Sequence, residues 1–508
     1  MAKAISTKAA SAFAETGMAP ALQALSEEIR ELYTSDTVPW VLGYSGGKDS
    51  TATLQLVWRA LADLPAAQRT KPVYVISTDT LVENPVVAAW VAKSLEQMQK
   101  VATETGMPFV PRRLTPDVAN TFWVNLIGKG YPAPRPKFRW CTDRLKIKPS
   151  NTFITDVIRE QGEAILVLGI RKHESVARAK AMERHERGRV RDRLSPNANL
   201  PNSLVYSPVE DWTNDDVWTY LMQVANPWGY RNRDLLTLYQ GASADGECPL
   251  VVDESTPSCG SSRFGCWVCT MVEQDKSMQA MIQNDQEKEW MLPLLSLRNE
   301  LDVKDDRPLR DFRRMNGSVQ LFNGRNVPGP YTQKSRRHWL TRVLEVQQWL
   351  RQNGPEEVRD IELITHGELV EIRRIWVVDK HEIEDVLPQV YLEATGTSFP
   401  EPALDESECF SADDLELLRQ ACDGDLIRYE TIRDLLSTER RHRTMTRRQG
   451  LFPALERTLL RGLHEDAEQA TAYKLSLQDE VASLAGTPDL DSRRLELTLI
   501  SDSEIEVS

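Results

Sequence analysis

Residues 41–64, VLGYSGGKDSTATLQLVWRALADL, decide how the first half of the chain folds. The short apolar run VLGY leads into the glycine pair of SGGKDS. Apolar residues then recur at spacings of three and four, at Leu54, Val57, Leu61 and Leu64. These patterns predict a strand, a tight loop and a helix in immediate succession.

The loop itself, Ser45-Gly46-Gly47-Lys48-Asp49-Ser50, carries the chemistry of an anion site. Its glycines let backbone N–H groups approach a phosphate closely, the helix start adds partial positive charge, and Lys48 adds a full one. Ser45 and Ser50 add hydroxyl donors, and Asp49 either caps the helix or helps to hold Mg²⁺. We expect the loop to bind the phosphates of ATP or a close relative. It is not the GxxxxGK[ST] pattern of NTPases that cleave between the β and γ phosphates.

Around this loop, β-rich runs alternate with helical or polar stretches from residue 38 to about residue 209. The runs are VPWVLGYS, KPVYVIST, AILVLGI and LVYSPV. This alternation predicts an α/β fold, with a doubly wound parallel sheet covered on both faces. Thr78, Asp79 and Gly169, at the ends of the second and third runs, are assigned to the nucleotide site together with the loop.

The chain has 508 residues, and single cores stop growing near roughly 250 to 300 residues, so two or three domains are expected. We predict an N-terminal helical segment (1–35), a nucleotide domain (36–228), a cysteine-rich segment with little helical or strand spacing (229–275), and a mainly helical domain (276–508). The last stretch, LELTLISDSEIEVS, is compatible with a strand or a tail.

The composition, 41% apolar and 27% charged, is ordinary for a globular protein. No apolar run approaches the roughly 20 residues of a membrane span, and the first residues lack the pattern of a secretory signal. We therefore expect a cytoplasmic protein with no membrane role. The net charge of −13 argues against a uniformly basic surface for nucleic acid and leaves room for a local basic groove.

Two basic segments are candidates for such a groove. Residues 135–148 hold six Lys or Arg against one acid, and residues 171–193 hold nine against four. Arg171 and Arg178 follow the run AILVLGI, at the sheet edge where open α/β sheets bind ligands, and Glu174 is a candidate to orient one of them. We assign Lys48, Asp49, Arg171 and Arg178 to catalysis; residues 184–193 fit a solvated loop equally well.

Cysteine is the second strong signal, because four of the seven cysteines fall within 22 residues: Cys248, Cys259, Cys266 and Cys269. In a reducing compartment this density favours a metal or redox site over disulfides. Spacing alone does not separate zinc from an iron-sulfur cluster. Cys409 and Cys422 have no metal-ligand spacing and are expected to be buried structural thiols.

SGGKDS resembles the PP-loop of the ATP pyrophosphatase superfamily, the adenine nucleotide alpha-hydrolase type, whose members cleave between the α and β phosphates. Three further segments resemble its sulfonucleotide reductase branch. They are Trp140-Cys141-Thr142 with Leu145-Lys146 and Pro149, GIRxxESxxRA at 169–179, and SPVxDWxxxDVW at 207–218.

The resemblance to this branch implies a 4Fe-4S cluster in a cysteine-rich insertion. Its metal ligands would be Cys141, Cys259, Cys266 and Cys269, with Cys248 as an alternative ligand or a sulfur carrier. The chain departs from the branch in two ways: Cys141 stands alone where many reductases have a Cys-Cys pair, and no reductase-type catalytic cysteine tail is evident.

The run at 246–272, GECPLVVDESTPSCGSSRFGCWVCTMV, with the long helical extension, is similar to the DndC family of bacterial DNA phosphorothioation systems and to the related SspD proteins. The similarity is good over about residues 30–290 and weak beyond. It implies an ATP-dependent sulfurtransferase that adenylylates a DNA phosphate, releases pyrophosphate and inserts sulfur. ATP, Mg²⁺ and a 4Fe-4S cluster would be cofactors. A cysteine desulfurase, other phosphorothioation subunits and the acceptor DNA would be partners.

Three alternatives stay open at this point. The chain is also compatible with a reductase of adenylylated sulfate, or with a non-catalytic adaptor that senses ATP. The arginine-rich segment 433–448 is compatible with a docking surface for DNA or a partner, and equally with a solvated helix end paired with Asp434 and Glu439.

Overall fold

A computed structural model describes residues 10–174, 176–187, 189, 193–197, 199–243, 264–402, 404, 412–443 and 445–485. The chain forms two compact units, each made of several stretches. The first comprises Met1–Val124, Ala133–Val303 and Val343–Glu368, and the second comprises Asn125–Pro132, Lys304–Arg342 and Leu369–Ser508. The four segments expected from the sequence stay a prediction.

The first unit is built on a six-stranded sheet with the strand order β3-β2-β1-β4-β6-β5. Its strands are β1 Trp40–Gly43, β2 Val73–Thr78, β3 Phe109–Leu114, β4 Ala164–Val167, β5 Ser195–Pro196 and β6 Ser203–Tyr206. β1 pairs in parallel with β2 and β4, β2 with β3, and β4 with β6, whereas β5 is antiparallel to β6. The predicted parallel α/β fold is confirmed.

The helices of the first unit before residue 303 are α1 Met18–Thr34, α2 Lys48–Ala62, α3 Pro85–Thr105, α4 Trp140–Thr142, α5 Lys148–Gln161, α6 Val176–Glu186, α7 Asn214–Gln223, α8 Asn232–Gly241, α9 Lys276–Asn284 and α10 Leu292–Leu301. A π-helical turn, Asp143–Ile147, joins α4 to α5.

Alternate strand residues enter two different cores, one on each face of the sheet. Trp40 and Leu42 pack with residues of α1, α2, α3, α7 and α8, whereas Val41 packs on the opposite face with Ile154 and Val157 of α5. Because both faces are covered, the central strands are apolar along their whole length. The sheet is therefore the middle layer between two layers of helices.

One prediction for the cysteine-rich segment 229–275 is wrong, because α8 lies within it. Leu235 and Tyr239 of α8 are buried at a spacing of four, and Leu238 packs against the same core. The spacing is helical but short, and the neighbouring glycines and cysteines mask it in the sequence. Residues 244–263 of this segment lie outside the described residues.

Residues 343–368 return to complete the first unit. The indole N–H of Trp123 donates to the Leu363 carbonyl over 2.6 Å, and the Gln347 side-chain oxygen accepts from the Leu363 N–H over 2.7 Å. All three residues are at most 5% exposed. This late stretch is therefore part of the interior of the first unit.

Beyond residue 303 the described chain is mainly helical, as predicted. The elements are the hairpin β7 Leu321–Phe322 with β8 Arg325–Asn326, and α11 Gln333–Asn353, α12 His366–Arg374, α13 Leu387–Thr395, α14 Ala412–Ala421, α15 Leu426–Arg443, α16 Leu451–Arg461 and α17 Ala467–Ala485. Asn323 and Gly324 both have positive φ, as a two-residue hairpin turn requires.

The second unit buries charged pairs. Arg336 and Glu382 form a two-pronged ion pair, and the Arg336 guanidinium lies 5.3 Å from the Trp376 ring centre. Arg373 binds both oxygens of Asp385 through its Nε, over 2.9 and 3.0 Å. Each of these buried arginines thus has a carboxylate partner, as a buried cation requires.

Two sequence predictions for the second half have mixed outcomes. Cys422 is 1% exposed, which confirms a buried thiol, whereas Cys409 lies outside the described residues. The stretch LELTLISDSEIEVS also lies outside them. Among the residues that are described, no helix combines the length and the apolar character needed to cross a membrane.

Candidate functional site

The first unit contains a cavity of about 970 Å³ at the carboxyl ends of β1, β2 and β4. The strand order reverses on the two sides of β1, and ligands bind at such switch points in open α/β sheets. The cavity collects most of the predicted site residues: Ser45, Gly47, Lys48, Asp49, Ser50, Thr78, Asp79, Gly169, Arg171 and Arg178.

Gly46 shapes the loop without lining the cavity. Its φ is +73°, and a Cβ at this position would lie 2.5 Å from Val91 Cγ2, so only glycine fits. Ser50 then fixes the loop from within, because its hydroxyl donates to the Gly47 carbonyl over 3.0 Å and accepts from the Ser45 N–H over 3.2 Å.

Asp49 does not cap helix α2, because the N-cap position is Gly47 and the helix begins at Lys48. Its carboxylate instead holds two cations of the cavity, Lys48 Nζ at 2.9 Å and Arg171 Nε at 2.7 Å. Arg171 is 4% exposed and also donates to the Trp212 carbonyl over 3.2 Å. Asp49 thereby orients the two positive groups on one wall.

Gly169 allows the end of β4 to approach the start of α2. A Cβ at Gly169 would lie 2.8 Å from the Asp49 carbonyl oxygen, so a larger residue would push Asp49 and its two cations away. A little further on, Glu174 forms an ion pair with Arg178, the cation that it was a candidate to orient. The stretch 169–178 thus supplies both close packing and positive charge.

Tyr239 of α8 belongs to the site although the sequence did not point to it. Its hydroxyl accepts from the Lys48 N–H over 3.3 Å, and its ring packs edge-on against Phe264, with 4.7 Å between ring centres. Burial raises the pKa of Tyr239 to about 12. The side chain is therefore a neutral hydroxyl that contacts the first residue of α2.

A polar contact connects the cavity to a thiol. Glu83 and Lys146 line the cavity, and their side chains pair over 3.2 Å. The same Glu83 oxygen accepts from Cys266 Sγ over 3.8 Å, and Thr80 Oγ1 lies 3.3 Å from that sulfur. The backbone of Cys266 pairs with that of Glu83 in an antiparallel bridge, which keeps this thiol beside the cavity wall.

The charges of these groups respond to their surroundings. Burial raises the pKa of the Cys266 thiol to about 12, and the neighbouring Glu83 carboxylate adds to the effect. For Lys146, burial favours the neutral amine, but the charges of Cys266 and Glu83 outweigh it and raise the pKa above its usual range. Lys146 is therefore a stable positive charge between the cavity and the thiol.

Cys269 acts electrostatically on both Cys141 and Cys266, which places it near each of these two predicted thiol ligands. Burial and the proximity of Cys269 raise the pKa of Cys141, and Cys269 also acts on Cys266. The other two predicted residues, Cys259 and Cys248, lie outside the described residues. Within the described ranges, no three His, Cys, Asp or Glu side chains form a group that could hold a metal ion.

The segment 433–448, which is compatible with a docking surface or with a solvated helix end, has some of its arginines paired within the protein. Arg433 is 3% exposed and binds Glu384 and Asp434, so it is part of the interior of the second unit. Arg441 donates to the Val378 carbonyl. These two arginines therefore make their contacts within the second unit.

Comparison with known proteins agrees with this geometry. Residues 39–271 match the family model of the phosphoadenosine phosphosulfate reductase domain. An uncharacterized protein of Methanocaldococcus jannaschii is 24% identical over 245 residues, which cover 48% of this chain and 39% of that relative. The chain thus spans well under half the length of this relative.

Similar solved structures were also found, among them the following two. One is a phosphoadenylyl-sulfate reductase from Candida auris in complex with phosphate, with 14% identity, 41% of this chain and 86% of that chain covered, and a TM-score of 0.25. The other is an FMN adenylyltransferase from Candida glabrata with FAD and pyrophosphate, with 13% identity, coverages of 50% and 74%, and a TM-score of 0.26. At these TM-scores neither bears on what this chain binds.

Three observations agree with one another: the parallel sheet, the SGGKDS loop at its switch point, and the family match over 39–271. Over residues 39–271 the chain is therefore similar to phosphoadenosine phosphosulfate reductase domains, and a mainly helical region follows.

Proposed function

We propose that this chain is an ATP-dependent sulfurtransferase that adenylylates a phosphate of the DNA backbone and directs sulfur to it. One observation carries the proposal. Glu83 and Lys146 line the cavity of about 970 Å³, which we call the phosphate cavity, and the same two side chains border Cys266. The proposed site of nucleotide activation and the thiol therefore have these two side chains as common neighbours. DNA as the acceptor rests on the resemblance of residues 246–272 to the DndC family.

In the first step a nonbridging oxygen of the acceptor phosphate attacks the α-phosphorus of ATP. The bond from this phosphorus to the α–β bridging oxygen breaks, and pyrophosphate leaves. Lys48, Arg171 and the N–H groups at the start of α2 offset the charge that develops on pyrophosphate. Asp49 keeps both cations on one wall until the phosphates arrive.

Mg²⁺ is compatible with this site because it needs only a few protein ligands beside a nucleotide. In nucleotide sites the ion is usually bound by one or two carboxylates together with substrate phosphates and waters. Asp49 and Asp79 are the carboxylates that would take this role, since both line the cavity beside the loop. When bound, the ion would neutralise part of the charge of the phosphates.

In the second step the terminal sulfur of a persulfide, delivered by a partner cysteine desulfurase, attacks the activated phosphorus of the acceptor. AMP leaves with the oxygen that made the first attack. A thiolate then attacks the inner persulfide sulfur, the S–S bond to the acceptor breaks, and a new disulfide forms as the thiophosphate is released. The two electrons come from that thiol, and a cellular thiol reduces the disulfide.

The thiol cluster fits a 4Fe-4S group in its chemistry. A cubane cluster presents a separate iron to each thiolate, so its ligands need not converge on a single ion. Cys141, Cys266 and Cys269 would supply three ligands, and Cys259 or Cys248 a fourth. Trp267, 1% exposed, excludes water on one side, and Lys146 offsets thiolate charge. When bound, such a cluster supplies thiolate-ligated iron that accepts sulfur or electrons.

The test of this function is the sulfur content of DNA. Nuclease-digested DNA from cells with the partner subunits is analysed by mass spectrometry, with the wild-type chain, with Lys48→Met and with the surface control Lys93→Met. We expect phosphorothioate dinucleotides with the wild type and the control, and none with Lys48→Met. Equal sulfur content with and without the wild-type chain would reject the function.

Iron and sulfide analysis of anaerobically purified protein tests the 4Fe-4S cluster. Zinc without iron would contradict this cluster.

A reductase of adenylylated sulfate is the second candidate, favoured by the family match over 39–271. In that reaction a thiolate attacks the sulfur of the sulfonucleotide, the nucleotide leaves, and a second thiol releases sulfite as a disulfide forms. Purified protein with adenylylated sulfate and a thiol donor would then produce sulfite. Absence of sulfite under these conditions, with the nucleotide bound, would exclude this candidate.

A further inference from the structure

A second, smaller cavity of about 280 Å³ lies in the first unit beside the phosphate cavity. Both cavities are lined by Arg113, which makes it a wall residue of each. The smaller cavity lies at the carboxyl end of β3. It is also lined by residues of the π-helical turn and of the first part of α5. The two cavities therefore adjoin along one edge of the sheet.

The lining of the smaller cavity is suited to a phosphate group. Arg144 and Lys148 extend the positive charge that begins with Arg113, and Thr115, Asn120 and Thr152 add neutral polar groups. Two acids, Asp117 and Asp156, also line it, and Asp156 is already engaged by Arg159 over 2.7 Å. The lining therefore holds three cations and two carboxylates, which gives it a net positive charge.

One helical stretch serves both cavities. Lys146 and Ser150 line the phosphate cavity, whereas Arg144 and Lys148 line the smaller one. Three of the six cations of the basic run 135–148 thus line one or the other of two adjacent cavities. A small-molecule nucleotide would occupy the first, and the second is left for a further anionic group on the same acceptor.

We propose that the smaller cavity binds a backbone phosphate that flanks the reacting phosphate of a polynucleotide acceptor. The inference rests on the proposed function and deepens it, because it names a contact that only a polymeric acceptor makes. Arg113 lies between the two phosphates and is itself oriented by Asp79. Charge-assisted contacts to phosphate fix the register of a backbone without reading its sequence.

Binding of a fluorescent DNA duplex by the purified full chain tests this site at several salt concentrations. The variant Arg144→Gln/Lys148→Gln removes two charges from the smaller cavity. The control Lys93→Gln/Lys100→Gln removes two from exposed positions of α3 that line neither cavity. We expect the first variant to bind DNA about tenfold or more weakly. Its salt dependence should also fall by about one unit of slope for each lost contact. The control should match the wild type.

Three results would overturn the inference in different ways. If the double variant binds DNA with wild-type affinity, the smaller cavity is not a phosphate site. That result would not contradict the proposed function. Equal weakening in the control would reduce the effect to general surface charge. No DNA binding by the wild-type chain at low salt would reject the acceptor itself, and the proposed function with it. Lys148→Gln alone, at an exposed position, and a melting curve for each protein show that weaker binding is not misfolding.

Discussion

Asp49 in the first unit and Glu382 in the second each hold arginine or lysine, but in opposite environments. The side chains of Lys48 and Asp49 are 15% and 21% exposed at the wall of a large cavity, and Asp49 divides its oxygens between two cations. Arg336 and Glu382 are 4% and 6% exposed and satisfy each other in a two-pronged pair. The first arrangement can exchange its carboxylate for a ligand; the second has no such freedom.

The cations beside Asp49 are therefore expected to serve ligand binding, whereas the Arg336–Glu382 pair is expected to serve stability. A cation beside an open cavity gains free energy when phosphate arrives, so its loss should affect function more than folding. A fully desolvated pair has no ligand to gain, and removing one partner leaves the other charged and buried. The following predictions test this contrast, in order of decreasing effect.

Arg336→Met should destabilise the protein by about 3–5 kcal/mol, because Glu382 is left as a buried, unpaired carboxylate. Urea unfolding followed by circular dichroism measures this. The neighbouring Arg337→Met is a matched control, since Arg337 is 43% exposed and its contact with Glu393 is 3.5 Å long. The control should change stability by less than about 1 kcal/mol. Equal effects in both variants would contradict the contrast.

Lys48→Met should lower the rate of pyrophosphate release roughly 100- to 1,000-fold, or about 2.7–4 kcal/mol, because a charge beside the leaving group is lost. Stability should stay close to that of the wild type, since Asp49 retains Arg171 as a partner. The rate is measured with ATP and DNA, and Lys93→Met on the surface is the control. Unchanged pyrophosphate release in Lys48→Met would show that the loop does not carry the chemistry.

Gly46→Ala should destabilise the protein by about 1–3 kcal/mol and weaken nucleotide binding, because it combines a positive φ with a contact at 2.5 Å to Val91. Gly106→Ala is the matched control: its φ is +62°, and nothing lies within 4 Å of the added Cβ. The difference between the two melting temperatures isolates the steric contact. Gly46→Ala combined with Val91→Ala should recover part of the loss; no recovery would mean that the backbone angle alone decides.

Lys380 in the second unit gives the smallest expected effect. Burial, followed by the charge of Arg336, lowers the pKa of its amine from 10.5 to about 7. At pH 8 the unfolded chain therefore binds more protons than the folded one, so stability rises with pH. From pH 7.5 to 8.5 we expect a gain of about 1.2 kcal/mol for the wild type relative to Lys380→Met. Parallel pH curves for the two proteins would contradict the shifted pKa.

The sheet was predictable where burial leaves a continuous apolar signal. β1, β2 and β4 each fall within a run that the sequence marks as a strand, and β6 overlaps such a run. β3 does not, because Pro111, Arg112 and Arg113 interrupt the apolar pattern. The strand order places β3 at the edge of the sheet, where a proline and exposed charges are tolerated. Local pattern therefore identified the buried strands and missed the edge.

The site was predictable only in part, for a related reason. The loop at 45–50 and the pair Arg171 and Arg178 follow strands, so their position at the sheet edge can be inferred from the sequence. Glu83 and Tyr239 approach the cavity through tertiary packing, and no local spacing marks them. Lys146 stood out as one charge of a basic run, but its position beside Cys266 depends on a backbone pairing between distant segments.

The return of residues 343–368 to the first unit sets a condition for protein engineering. A fragment cut at residue 271, where the family match ends, would lack the carbonyl that receives the Trp123 indole and the Gln347 side chain that holds Leu363. Its buried surface would face solvent. We therefore expect such a fragment to express as insoluble material. The recognisable domain is shorter than the piece of chain that folds.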